Sequence, residues 1–201
     1  CALSVMDLLK EHDAASARRT KLGKLPLHFA LEFRACTDTI KVLLTAHPNA
    51  VSESAQKKCP LHYAVESHAA PETVQYLVEA YPAGVTEKSI ESMLPLHLAC
   101  AHKQPLACVQ LLVEAHPDSL YDRDRHGRLP LHHAIEKNAP QDVVLYLLDQ
   151  APDTAKCNGY FPHLPLHIAV EKLTALPVLQ ALLEKFPGSA GDRDMFGVLP
   201  L

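Results

Sequence analysis

The chain has 201 residues, of which 48% are hydrophobic, 21% charged and 5% aromatic, and this apolar content excludes wholesale disorder. The formal net charge of −4 argues against a protein that binds nucleic acid through a strongly basic surface, so no nucleic-acid partner is expected. No stretch approaches the roughly 18 consecutive apolar residues of a membrane helix, and no secretory signal is visible, so we expect no membrane insertion.

Cysteine usage bears on the cellular compartment. The six cysteines lie far apart and form no CxxC pair. In a chain of this size, that spacing is typical of reduced thiols and not of a disulfide framework. We therefore expect a cytoplasmic, reducing environment. The six are Cys1, Cys36, Cys59, Cys100, Cys108 and Cys157.

A six-residue motif recurs along the whole chain. It reads LPLHFA at 25–30, then CPLHYA from 59, LPLHLA from 94, LPLHHA from 129 and LPLHIA from 164, and a further copy begins at 199. The motif prolines are spaced by 34, 35, 35, 35 and 35 residues, and a second proline follows each of the first five by 22 residues. Such a register predicts a single array of repeats over residues 1–201. The five full repeats are 25–58, 59–93, 94–128, 129–163 and 164–198.

Each repeat is predicted to contain two helices. The motif proline suits the first turn of a short helix, where its missing N–H would have no partner. A longer segment follows with apolar residues at i, i+3 and i+4, as at Val144, Leu147 and Leu148, which is one face of a helix. The second proline ends that helix. Because such a unit buries its apolar face only against its neighbours, we predict an all-α solenoid of stacked helix-turn-helix units.

The PLHxA core, the helix-turn-helix unit and the period of about 34 resemble ankyrin repeats. The family's signature is Gly-x-Thr-Pro-Leu-His-x-Ala, and this chain departs from it. The Thr place holds Leu or Cys, as at Leu25 and Cys59, while the Gly place is kept at Gly23, Gly127 and Gly197. The resemblance implies that the threonine hydroxyl and the histidine ring fix the turn in the family, so we expect that local bond to be missing here.

Both ends of the chain resemble parts of further repeats. Residues 1–14 match the second helix of a preceding repeat, and residues 199–201 match the start of a sixth. Neither end has the polar capping repeat that a solenoid needs. We therefore expect these residues to be a section of a longer array.

The histidines and cysteines raise the question of metal binding or catalysis. The five motif histidines lie one repeat apart, too far to converge on one ion, so we expect them to bond the backbone between repeats. His97, Cys100, His102 and Cys108 are four suitable ligands within twelve residues, but Cys100 falls on a buried apolar place. We therefore favour a role for Cys100 in the apolar core over two alternatives, a zinc site at these four residues and a disulfide between Cys100 and Cys108. No metal, no cofactor and no enzymatic activity are expected, because no catalytic motif is found.

The resemblance implies a protein or peptide partner along a concave groove. Contacts in the family come from hairpin tips, five, four and two residues before the motif proline, and from inner-helix positions six and seven after it. This register places Ala55 and Met93 at exposed tips, makes the fourth tip basic and makes the last two tips apolar and aromatic. The predicted partner-binding residues are Arg125, His126, Arg128, Tyr160, Phe161, His163, Met195, Phe196, Glu136 and Glu171.

We expect the partner to insert an apolar anchor near the aromatic tips and to place an acidic group on Arg125 and Arg128. The alternative is that these tips simply pack on neighbouring hairpins. The predicted function is therefore a scaffold or adaptor for protein–protein interaction. Two other functions are compatible with the sequence. The chain could be the targeting region of a larger signalling enzyme, such as a kinase or a ubiquitin ligase, or it could be a permanent subunit of a large assembly.

Overall fold

Short and long α-helices alternate through the chain. The structure is a computed structural model that describes residues 20–159, 163–193, 197 and 199–200. Strand pairing in these residues amounts to an isolated antiparallel bridge between Ala55 and Lys58. The helices of the described residues are α1 (Pro26–Glu32), α2 (Thr37–Ala46), α3 (Pro60–Glu66), α4 (Pro71–Ala80), α5 (Pro95–Ala101), α6 (Leu106–Ala115), α7 (Pro130–Glu136), α8 (Gln141–Gln150), α9 (Pro165–Glu171) and α10 (Leu176–Lys185).

The odd-numbered, inner helices begin at the motif prolines, as predicted. The residue before each proline is extended, with φ −87° and ψ 164° at Leu25, and its side chain is buried. This burial explains the apolar residue at the Thr place. The expected loss of the local bond is only partial, because the backbone N–H of Leu25 donates to Nδ1 of His28 over 2.9 Å. The same bond recurs at Cys59, Leu94 and Leu129.

Each inner helix is followed by a residue in the left-handed region, eight positions after the motif proline. The N–H of the following residue donates to the carbonyl of the motif alanine, as from Ala35 to Ala30 over 2.8 Å. This closing bond is the usual way to satisfy a carbonyl at a helix C-terminus. The backbone carbonyl of the motif alanine therefore accepts the bond that closes the helix. The left-handed residues are Arg34, His68, Lys103, Asn138 and Leu173.

Leu173 occupies this left-handed position at a cost in stability. Its φ is 52°, equal to that of Asn138 one repeat earlier, and its side chain is 88% exposed. A left-handed backbone costs an ordinary L-residue about 1 kcal/mol, and less for asparagine. We expect Leu173→Asn to raise the free energy of unfolding by about 0.5–1 kcal/mol, measured by urea denaturation. The matched control is Asn138→Leu, which should lower it by a similar amount; equal stabilities for all three proteins would contradict the argument.

The outer helices α2, α4, α6, α8 and α10 all end before the second proline of their repeat. That proline does more than stop the helix, since it begins a short 3₁₀ turn such as Pro48–Val51. The corresponding turns are Pro82–Thr86, Pro117–Leu120, Pro152–Lys156 and Pro187–Ala190.

The chain divides into two compact units, residues 1–90 and 91–201. In the described part of the first unit, α1 packs against α3 and α2 against α4. In the second unit, α5, α7 and α9 pack in sequence, and so do α6, α8 and α10. The leucines that directly follow the motif prolines are core residues; Leu96 and Leu131, for example, are 2% exposed. The fold class is thus the predicted all-α repeat solenoid. In the part of the chain that the structure describes, no helix has the length and apolar character needed to cross a membrane.

Candidate functional site

His28, His97 and His132 bond backbone carbonyls, but these carbonyls lie in the same repeat as the ring and not, as predicted, in a neighbouring repeat. Nδ1 of His97 accepts from the Leu94 N–H over 3.2 Å, so its other nitrogen, Nε2, carries the proton and donates to the Asp122 carbonyl over 3.1 Å. The acceptor lies 25 residues ahead, in the loop that leads into the next motif. His132 forms the equivalent bond to the Cys157 carbonyl over 2.9 Å. These three rings therefore connect their inner helices to the loop that leads into the following tip.

A buried carboxylate organises the fourth tip. Oδ1 of Asp124 accepts from the backbone N–H groups of His126 and Arg128, over 2.8 Å and 2.9 Å. Its Oδ2 accepts from Nε2 of His133, over 2.9 Å, and from Nε of Arg128. Burial alone would raise the pKa of Asp124, but these hydrogen bonds and the Arg128 charge lower it to about 2.

Asp124→Ala is expected to lower the free energy of unfolding by about 3 kcal/mol, because it leaves buried donors of His133 and Arg128 without an acceptor. Urea denaturation at neutral pH measures the loss. Asp122→Ala, two positions earlier and half-buried, is the control, and its loss should stay within about 1 kcal/mol. Equal losses in the two variants would contradict this role for Asp124.

The basic tip is already engaged within the chain. Nε of Arg125 lies 2.5 Å from a Glu91 carboxylate oxygen, and the Arg125 N–H donates to the Glu91 carbonyl. Arg128 pairs with Asp124 and with Glu136, each over 3.1 Å. An acidic group on a partner would therefore have to compete with these internal carboxylates, and charge and register alone do not reveal such pairs.

Two of the tip positions expected to be exposed are buried. Ala55 is 2% exposed and Met93 is 9% exposed. Ala55 is buried in a tight turn, where its N–H and carbonyl pair with Lys58 and its carbonyl also accepts from the Tyr63 hydroxyl. Ile90, in contrast, is 59% exposed. The prediction of exposed tips is thus wrong at Ala55 and Met93.

A recurrent salt bridge connects the tip to the inner helix, and we call it the tip–helix ion pair. A cation two residues before the motif proline reaches the glutamate six residues after it. The pairs are Lys24–Glu32 at 2.7 Å, Lys58–Glu66 at 2.6 Å and Arg128–Glu136 at 3.1 Å. The inner-helix glutamates, of which Glu136 was a predicted contact residue, are therefore neutralised in these three repeats. The repeated spacing of eight residues was the sequence signal that could have revealed this.

The fifth repeat keeps the glutamate but has no lysine or arginine at the tip position. The place of Arg128 is taken by His163, whose ring packs edge-on against His167 with centroids 5.7 Å apart. The Glu171 side chain is 63% exposed and pairs with the adjacent Lys172 over 2.8 Å. A cleft of ≈ 250 Å³ lies beside it. Its lining residues are Arg128, Glu136, Gly159, His163, Ile168, Glu171 and Lys172.

Comparison with known proteins identifies the family. A model of ankyrin repeats matches three times, over residues 2–89, 61–159 and 96–194. The chain belongs to the ankyrin-repeat family. Ankyrin repeats are, in general, modules for protein–protein interaction.

A solved structure with a similar fold is the ankyrin repeat domain of Bcl-3, described as a unique member of the IkappaB protein family. The two are 25% identical, with a TM-score of 0.71, and the match covers 89% of this chain and 78% of that one. A search of curated proteins gave no significant match.

Within the ankyrin repeats, three of the four candidate metal ligands, His97, Cys100 and Cys108, are core residues, whereas His102 is exposed. Cys100 and Cys108 are free thiols with 0% exposure, and burial raises the pKa of Cys108 to about 12. No group of three or more potential metal ligands occurs among the described residues. Cys100 therefore occupies a buried apolar position, as the sequence predicts.

Four predicted contact residues lie outside the described residues. They are Tyr160, Phe161, Met195 and Phe196. Of the other six predicted ankyrin contacts, four line the cleft of the second unit, while Arg125 and His126 lie at the fourth tip beside Glu91. The structure therefore brings together Arg128, Glu136, His163 and Glu171.

Proposed function

We propose that this ankyrin-repeat chain is a scaffold or adaptor that binds a protein or peptide partner on the groove side of its second unit. The proposed surface is formed by the fourth and fifth tips and by the ends of α7 and α9. The proposed surface also includes Tyr160 and Phe161 of the fifth tip, and Met195 and Phe196 of the sixth tip. The protein is proposed to act in the cytoplasm, without enzymatic activity, cofactor or nucleic-acid partner.

The observation that carries this proposal is the cleft beside α9. Its lining combines the apolar residue Ile168 with the exposed carboxylate of Glu171. Two further lining residues, Gly159 and His163, flank the aromatic tip in the sequence. Interfaces commonly join an apolar anchor to a few charged contacts in this way. Arg125 and Arg128 support the surface through their internal pairs with Glu91, Asp124 and Glu136.

The test compares the proteins captured from a source lysate by three versions of the chain, using quantitative mass spectrometry. The first is the unaltered chain and the second carries Tyr160→Ser, Phe161→Ser and Phe196→Ser. The control carries Leu173→Ser and Leu176→Ser, which remove side chains that are 88% and 65% exposed at the turn between α9 and α10. Circular dichroism confirms that all three are folded.

We expect a set of partners to be lost from the triple variant and kept by the control. The same partners on all three chains would contradict the proposed surface. Loss from the control alone would place recognition at the opposite turn and would also contradict it.

A further inference from the structure

Comparison of the repeats shows that the fifth has no lysine or arginine at the tip position. Three of the five repeats satisfy the inner-helix glutamate with a cation from their own tip, through the tip–helix ion pair. The third repeat has neither charge, since Met93 and Ala101 occupy the two places. The fifth repeat alone has the glutamate, Glu171, with a histidine at the tip position.

The accessibility of the carboxylates follows this difference. The side chains of Glu32, Glu66 and Glu136, which have a tip cation, are 42%, 23% and 29% exposed. The side chain of Glu171 is 63% exposed. Its pair with Lys172 is made by a neighbour on the same helix end, and the equivalent Lys137 also pairs with Glu136 in the fourth repeat, in addition to Arg128. The fourth repeat thus shows that one glutamate at this place accommodates two cations.

The cleft is lined both by Glu171 and by His163, the residue at the tip position where other repeats have a cation. Gly159 adds no side chain to the cleft wall, and a Cβ there would lie 2.8 Å from Cδ2 of His132. Ile168 provides an apolar surface for an aliphatic stem. Arg128 and Lys172 also line the cleft, and each is paired with a carboxylate.

We propose that this cleft binds a basic side chain, arginine or lysine, of the protein partner. The partner's cation takes the role at Glu171 that Arg128 has at Glu136, and its stem lies along Ile168. Half-buried charge-assisted bonds of this kind are stronger than the exposed pair between Glu171 and Lys172. This inference rests on the proposed function, because it names the chemistry of the partner at that surface.

The test uses a phage-displayed library of random linear dodecapeptides, selected on the full chain. We expect the enriched peptides to share a basic residue at one fixed position. Replacing that residue by glutamine should weaken binding by about tenfold or more, measured by fluorescence polarisation. Glu171→Gln should weaken the original peptide by the same factor, and the two changes together should cost no more than either alone.

His163→Arg provides a second and independent measurement. It restores a tip cation, so it should form an internal pair with Glu171 like that of Arg128 with Glu136, and should abolish the preference for a basic residue. The control is Glu184→Gln on the exposed side of α10, which should leave binding unchanged. Urea denaturation confirms that each variant is folded.

Three results would overturn the inference. They are enriched peptides without a common basic residue, affinities that Glu171→Gln and His163→Arg leave unchanged, and a selection that yields no peptide preferring the unaltered chain over Glu171→Gln. If the capture experiment still shows partners lost with the triple serine variant, the proposed function stands while this inference fails. If capture shows no such loss, the proposed function fails independently of the peptides.

Discussion

His132→Ala is expected to lower the free energy of unfolding by about 3–5 kcal/mol. The imidazole is fully buried and forms two hydrogen bonds, accepting from the Leu129 N–H over 3.1 Å and donating to the Cys157 carbonyl over 2.9 Å. Alanine leaves a buried donor and a buried acceptor without partners, and each such group costs about 1–3 kcal/mol. The lost ring also leaves a cavity against Gly159.

Urea denaturation at pH 7 measures this loss. The control is His102→Ala, at an exposed position at the end of α5, and its loss should be below about 1 kcal/mol. Losses of similar size in the two variants would contradict the structural role of the motif histidine.

The stability of the protein should also fall as the pH decreases from 7 to 5. Burial lowers the pKa of His97 to about 4, with a further contribution from the charge of His133, and burial likewise lowers the pKa of His132 to about 4. In each ring, protonation would put an N–H at Nδ1 directly against a backbone N–H donor. The folded protein therefore holds both rings neutral.

The sign follows from proton binding. The unfolded chain takes up protons near the ordinary histidine pKa of about 6.5, while the folded chain takes them up only near 4. The stability due to the neutral rings is fully present above about pH 6.5 and is lost as the pH falls toward 4. At pH 5 the loss amounts to about 2 kcal/mol for each ring.

Denaturant midpoints measured across pH 7 to 5 test this expectation. His97→Gln, which keeps an acceptor and a donor but does not titrate, should be less stable at pH 7 and should show a shallower dependence on pH. An unchanged slope in this variant, or a stability that is constant across the range in the unaltered chain, would contradict the assignment.

The positions of the helices could be read from the sequence because the local signals agree. A motif proline fixes the first turn of each inner helix, and apolar residues spaced three and four apart fix the face of each outer helix. The 3₁₀ turns at the second prolines were not predicted. A proline indicates that the preceding helix ends, but it does not determine the conformation of the residues that follow it. The bond between the motif histidine and the residue at the Thr position is present because its donor is a backbone N–H, which leucine or cysteine supplies as well as threonine does.

The candidate site was less accessible to sequence reasoning. Residues such as Arg128 were predicted as partner contacts from their charge and their position in the repeat. Their ion pairs within the chain depend on how the tip packs against the inner helix. Asp124 lies outside the family's contact positions, so its four bonds to the fourth tip were missed. Met93 is apolar and was placed at a tip, but packing buries it.

We propose that partner recognition lies on the groove side of the second unit. Hydrogen–deuterium exchange, measured by mass spectrometry with and without a captured partner, tests it most directly. We expect slower exchange in the loop over residues 121–128 and in residues 157–172 when the partner is bound, with little change in the outer helices α6 and α8. Protection confined to α6 and α8, with unchanged exchange at residues 157–172, would contradict the claim.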